Sequence, residues 1–176
     1  MKRVLLSFFI LILISFSGYP FVRATLGAQG RSVPITQLGP KRSGPRWSYG
    51  NSGGRDALRV VIRDREAWLD FWKRMCPPNP EMPPLPEVDF SREMIVVAAM
   101  GERPNMGYGI IIESAYERNN QIEINVRSIS ISLKGCGVFP ASTSPIDIVR
   151  IPKTERPVVF RETEAVRDCS GREVKI

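Results

Sequence analysis

The sequence predicts a mainly β fold: an antiparallel sheet or sandwich with one amphipathic helix packed on it. Three observations carry this. Short β-branched and apolar runs recur from Leu58 to Phe160, separated by Gly, Pro and Asn turns. A single stretch has helical spacing, with Trp68, Phe71, Trp72 and Met75 at i, i+3, i+4 and i+7. Met94 to Met100 is apolar without a break, which suits a strand buried on both faces.

The elements follow in order. Leu58 to Ile62 reads as a strand. Asp64 is placed to cap the helix behind it, since its carboxylate can accept from a free N–H of the first turn. Glu66 sits in the first turn and Lys73 and Arg74 in the last, as the helix dipole favours. Pro77 and Pro78 stop the helix, and the six prolines between Cys76 and Pro86 make an extended connector. After Met94–Met100 a turn leads to a strand over Gly107–Ser114. Asn119-Asn120 marks a hairpin, because Asn tolerates left-handed backbone angles. The next strand alternates through Ile122, Ile124 and Val126, then changes parity to Ile129, Ile131 and Leu133. One extra residue near Arg127–Ser128 accounts for that change, so a β-bulge is expected there. Ile146–Ile151 and Pro157–Phe160 complete the strands.

The chain ends differ in character from this body. Lys2 and Arg3 precede an apolar run from Val4 to Phe16, and Gly18, Pro20 and Ala24 follow. A basic start, an apolar run and a small-residue exit describe a secretory signal, expected over residues 1–24. The alternative is a retained anchor, since Val4 to Val22 just reaches spanning length. Residues 25–54 are rich in Gly, Pro, Ser and Arg and read as a disordered basic linker. The β-rich domain is expected over 55–162 and a polar tail over 163–176. The expected location is outside the cytoplasm, periplasmic or extracellular, with no stable membrane insertion once the signal is removed.

Charge narrows the function. The chain has 25 bases and 18 acids, a formal charge of +7. The first 55 residues hold eight bases and no acid, so from Asp56 onward 17 bases face 18 acids. A nucleic-acid-binding domain carries its positive charge on the fold itself, and this one does not. There is no histidine, which removes Ser-His and Cys-His nucleophilic pairs and His-based metal sites. No Ser stands three residues before Lys134 or Lys153, so neither lysine forms a Ser-x-x-Lys pair. No catalytic residue, cofactor or metal ligand set emerges from the sequence.

Of three cysteines, Cys76 continues the helical stripe and reads as a small buried residue. Cys136 lies in a Gly-rich loop, and Cys169 lies in a polar tail with few other means of docking. Cys136–Cys169 is the expected disulfide.

One segment asks for recognition rather than folding: Gly101-Glu102-Arg103-Pro104-Asn105-Met106-Gly107-Tyr108. Its glycines permit unusual backbone angles, and a Tyr ring with a polar tip is frequent at interfaces. Asp89-Phe90-Ser91-Arg92-Glu93-Met94 leads into the apolar strand, then come Met100-Gly101-x-Arg103-Pro104 and Gly107-Tyr108-x-Ile110. Thr143-x-Pro145 precedes Val149-x-Ile151-Pro152. In this order the motifs resemble the PrcB C-terminal domain family, most clearly from Val88 to Phe160. The resemblance implies an exported module that supports a partner, such as a protease, without catalysing. On that reading the candidate partner-binding residues are Arg103, Pro104, Asn105, Met106, Gly107, Tyr108, Thr143 and Pro145. The alternatives are a protease inhibitor that uses the Gly-Tyr loop as a wedge, an enzyme built on carboxylates, and a glycan-binding module.

Overall fold

A computed structural model describes residues 30–38, 54–75, 85–132 and 137–174. The expected signal over 1–24, Cys76 and most of the proline connector lie outside them. Nine strands and one helix are described: β1 (Arg31–Val33), β2 (Thr36–Gln37), β3 (Ala57–Ile62), α1 (Arg65–Met75), β4 (Glu93–Met100), β5 (Gly109–Arg118), β6 (Gln121–Ile131), β7 (Ile146–Pro152), β8 (Val158–Arg167) and β9 (Glu173–Val174). They form two sheets, of order β1-β5-β6-β8-β9 and β2-β7-β4-β3.

β4 explains the layering. It lies between β3 and β7 and pairs antiparallel with both. Its odd residues, Ile95, Val97 and Ala99, join Trp68, Phe71, Trp72, Met75 and Ile148 in one core cluster. Its even residues, Met94, Val96, Ala98 and Met100, join Ile110, Ile112, Ile124, Val126 and Val149 in a second. The layers are therefore helix, four-stranded sheet and five-stranded sheet. An unbroken apolar run is what a strand between two cores requires.

The helix forms as its sequence predicts. Asp64 Oδ1 accepts from the Ala67 amide at 2.8 Å, which closes the first turn. Trp68, Phe71, Trp72 and Met75 are buried, each such side chain contributing about 1.5–3 kcal/mol of transfer free energy. The Trp68 indole donates to the Pro86 carbonyl at 3.1 Å, so its one polar atom is satisfied in the core.

Four expectations need correction. The bulge is not near Arg127–Ser128. β6 pairs with β8 without interruption from Ile122 to Ile131, and the register shift lies in β5, between Ile112 and Ser114. Glu113 is the extra residue, and it moves the inward positions of β5 from Ile110 and Ile112 to Ala115. β6 changes parity for another reason. Ile122, Ile124 and Val126 belong to the inter-sheet core. Beyond them the inward positions, Ser128 and Ser130, line a small cavity at the end of the sandwich.

Secondly, the five-stranded sheet is mixed, because β6 and β8 run parallel. β7, in the other sheet, makes the return between them. Thirdly, residues 30–38 fall within the expected disordered linker, yet they form β1 and β2, and Leu38 is buried in the helix-side core. β1 pairs with β5 and β2 with β7, so this short segment crosses from one sheet to the other. Fourthly, the last strand of the body does not end at Phe160. β8 continues to Arg167, and β9 pairs back onto Val166 and Arg167. The expected polar tail thus supplies an edge of the sheet.

A buried carboxylate ties the layers. Asp147 is 1% exposed. Its Oδ2 accepts from the Ile112 amide, beside the bulge, at 2.7 Å, and Oδ1 accepts from the Gln37 side chain. β2, β5 and β7 meet at this one side chain.

Candidate functional site

The β4–β5 connection and the residues before β7 meet at one end of the sandwich. Gly101 opens the first loop with φ +72°, and a Cβ there would stand 2.5 Å from the Arg55 carbonyl. Only glycine fits both the angle and the space. The next residues are held by pairing across the loops: Arg103 N donates to Thr143 O at 2.7 Å, and Thr143 N donates to Arg103 O at 3.0 Å. Met100 N donates to Pro145 O at 2.9 Å. Thr143 and Pro145 are buried; they hold the loop from below.

Asn105 closes the loop on itself. Its Oδ1 accepts from the Gly107 amide at 2.9 Å, the side chain doing the work of a backbone turn. Gly107 is buried, and a Cβ there would press within 3.3 Å of Ile131 and Val138. Tyr108 is half-buried and packs against the inter-sheet core. The Arg103 guanidinium lies 5.9 Å from its ring centroid, within cation–π range.

Met106 remains on the surface, 62% exposed. Its amide donates to the Phe139 carbonyl at 3.3 Å. Phe139 is 70% exposed. The structure thus joins two residues with large exposed apolar side chains through a backbone hydrogen bond. Sequence reasoning singled out Met106 and missed Phe139. The only signal for Phe139 was its place in Gly137-Val138-Phe139-Pro140, an apolar pair in a loop. Of the eight candidate residues, Arg103 to Tyr108 are brought together with Thr143, while Pro145 lies beneath them.

The titration of Asp89 and of Asp168 is shifted, and both sit in turns. Donation from the Ser91 hydroxyl and amide holds the Asp89 carboxyl below its ordinary 3.8. The Ser170 hydroxyl and the Arg172 and Ser170 amides do the same for Asp168. Among the described residues no three His, Cys, Asp or Glu side chains gather as metal ligands. No described helix is long and apolar enough to cross a membrane. Of the expected disulfide, Cys169 lies in the turn before β9, and Cys136 falls outside the described residues.

Residues 94–152 match the family model described as PrcB C-terminal. This stretch belongs to the PrcB C-terminal family. The PrcB C-terminal match runs from β4 to the end of β7 and contains both loops of the candidate site. It reproduces the likeness carried by the motif order. No curated protein and no solved structure matched the chain.

Proposed function

We propose that the chain is an exported, non-catalytic module that binds a partner protein through the loop end of its sandwich. The observation that carries this is the adjacent pair Met106 and Phe139, exposed on anchored loops. Where the backbone under exposed apolar side chains is already fixed, docking need not order the loops, and apolar anchors of this kind supply much of the energy at protein interfaces. Arg103 and Tyr108 stand beside the pair and add a polar contact at its rim. A protease is the kind of partner that the resemblance to the PrcB family implies.

A binding role also suits the chemistry of the residues. The chain has no histidine. The Asp89 and Asp168 carboxyls are lowered by turn hydrogen bonds, which keeps them ionised and works against a general acid at neutral pH. The N-terminal run from Val4 to Phe16 supports export. Outside the cytoplasm, a Cys136–Cys169 disulfide would fasten the loop after β6 to the turn after β8. Those strands end together, with Ser132 N donating to Arg167 O at 2.8 Å.

Met106→Ala combined with Phe139→Ala tests the reading. The full-length double variant should melt within a degree or two of the parent and bind the partner at least tenfold more weakly. A double variant that captures the partner as well as the parent contradicts it.

A further inference from the structure

A groove of about 330 Å³ lies on the outer face of the five-stranded sheet, next to the loop end. Gly109, Ile111, Ile129, Ile131 and Arg167 line it from the sheet, with Met106 and the turn from Asp168 to Gly171 beside them. Three features of it do not follow from folding.

The first is Gly109. Its φ lies outside the left-handed region, and a Cβ there would meet only Ile129, at an ordinary 4.0 Å. Glycine weakens a strand interior, so neither angle nor crowding explains it; its absent side chain leaves the groove open. The second is the outward row of Ile129, 8% exposed, and Ile131, half-buried, whose remaining apolar surface opens on the groove and which Gly109 and Arg167 face in register. The third is Arg167. Its Nε is buried without a hydrogen-bond partner, and it forms no ion pair among the described residues. The other buried arginine Nε atoms belong to side chains already engaged: Arg127 with Glu113 and Glu173, Arg150 with Glu93, and Arg103 over the Tyr108 ring. Asp168, beside Arg167, is held by Ser170 and Arg172.

We propose that this groove takes an apolar side chain flanked by an Asp or Glu, on an extended internal segment of the partner protein. The inference rests on the protein-binding reading and specifies its partner. The apolar side chain fills the space above Gly109, against Ile111, Ile129 and Ile131. The carboxylate accepts from Arg167, whose planar fork suits two parallel hydrogen bonds.

The test selects a phage-displayed random dodecapeptide library on the full-length protein. Such peptides have no free C-terminus, so any carboxylate selected is a side chain. Enriched peptides, synthesised and followed by fluorescence anisotropy, should share an apolar residue within two positions of an Asp or Glu. Gly109→Val should weaken them at least tenfold while the melting temperature holds or rises, since valine suits a strand. Arg167→Gln should weaken them about tenfold, and changing the peptide's acid to its amide should then cost nothing more. Peptides without an acid, peptides indifferent to both variants, or no enrichment overturn the proposal. Should Phe139→Ala abolish partner binding while Gly109→Val and Arg167→Gln leave it intact, the groove is overturned and the protein-binding reading stands.

Discussion

Single atoms set the shape of the loop end. Gly101 holds an angle that a side chain resists and a space that a Cβ would overfill. Gly101→Ala should therefore cost about 2 kcal/mol or more, read as an earlier denaturant midpoint. An unchanged midpoint would mean that the β4–β5 turn relaxes freely. Asp147 acts across layers, and its loss leaves the Ile112 amide buried without that acceptor. Asp147→Ala should destabilise the fold by about 1–3 kcal/mol. Asp168 acts within one turn. Its folded pKa is lowered, so its contribution is fully present above the unfolded value near 3.8 and is lost as pH falls through the folded value. A carboxyl-carbon NMR titration should place its midpoint below 3.8, and Asp168→Asn should speed amide exchange in β9. A midpoint at or above the ordinary value would show that the turn donors are not formed in solution.

At the scale of elements, what the sequence revealed depended on how local the cause was. The helix was legible because cap, stripe and stop all lie within its own dozen residues. The hairpin was legible for the same reason: Asn119 and Asn120 take φ 50° and 58°, as a two-residue turn between Arg118 and Gln121 requires. Asn120→Val should accordingly cost about 1 kcal/mol, measured by chemical denaturation, with the sheet otherwise intact. The bulge was misplaced because two causes give one pattern. A parity change follows from an extra residue or from a face passing from core to cavity, and only the neighbouring strands separate them. In β5 the extra residue was masked by Ile110, Ile111 and Ile112 in a row. In β6 the serines at 128 and 130 meet a cavity rather than a bulge. β1, β2 and β9 were missed because two or three residues carry no periodicity; pairing with longer strands makes them.

For the molecule as a whole, the sandwich and its helix were readable from strand count and apolar pattern, whereas the parallel β6–β8 pair was not. Its two strands are joined through a third in the other sheet, so no local connection announces it. The candidate site was half legible for a related reason. Gly101 to Tyr108 is contiguous in sequence, while Phe139 arrives from about thirty residues later and is placed by tertiary pairing, the Met106 amide on its carbonyl and the bridge of Arg103 to Thr143. The resulting division of labour is simple: two cores and a buried carboxylate make the scaffold rigid, and one end of it presents apolar side chains to solvent. The most direct test is in-cell photocrosslinking, with a photoreactive residue replacing Phe139 in the full-length protein expressed in its native host. The account predicts one dominant crosslinked protein, which disappears when Met106→Asp is added and persists when Glu155, far from the loops, is changed to Lys. Crosslinks spread evenly over abundant proteins, and unaffected by Met106→Asp, would contradict it.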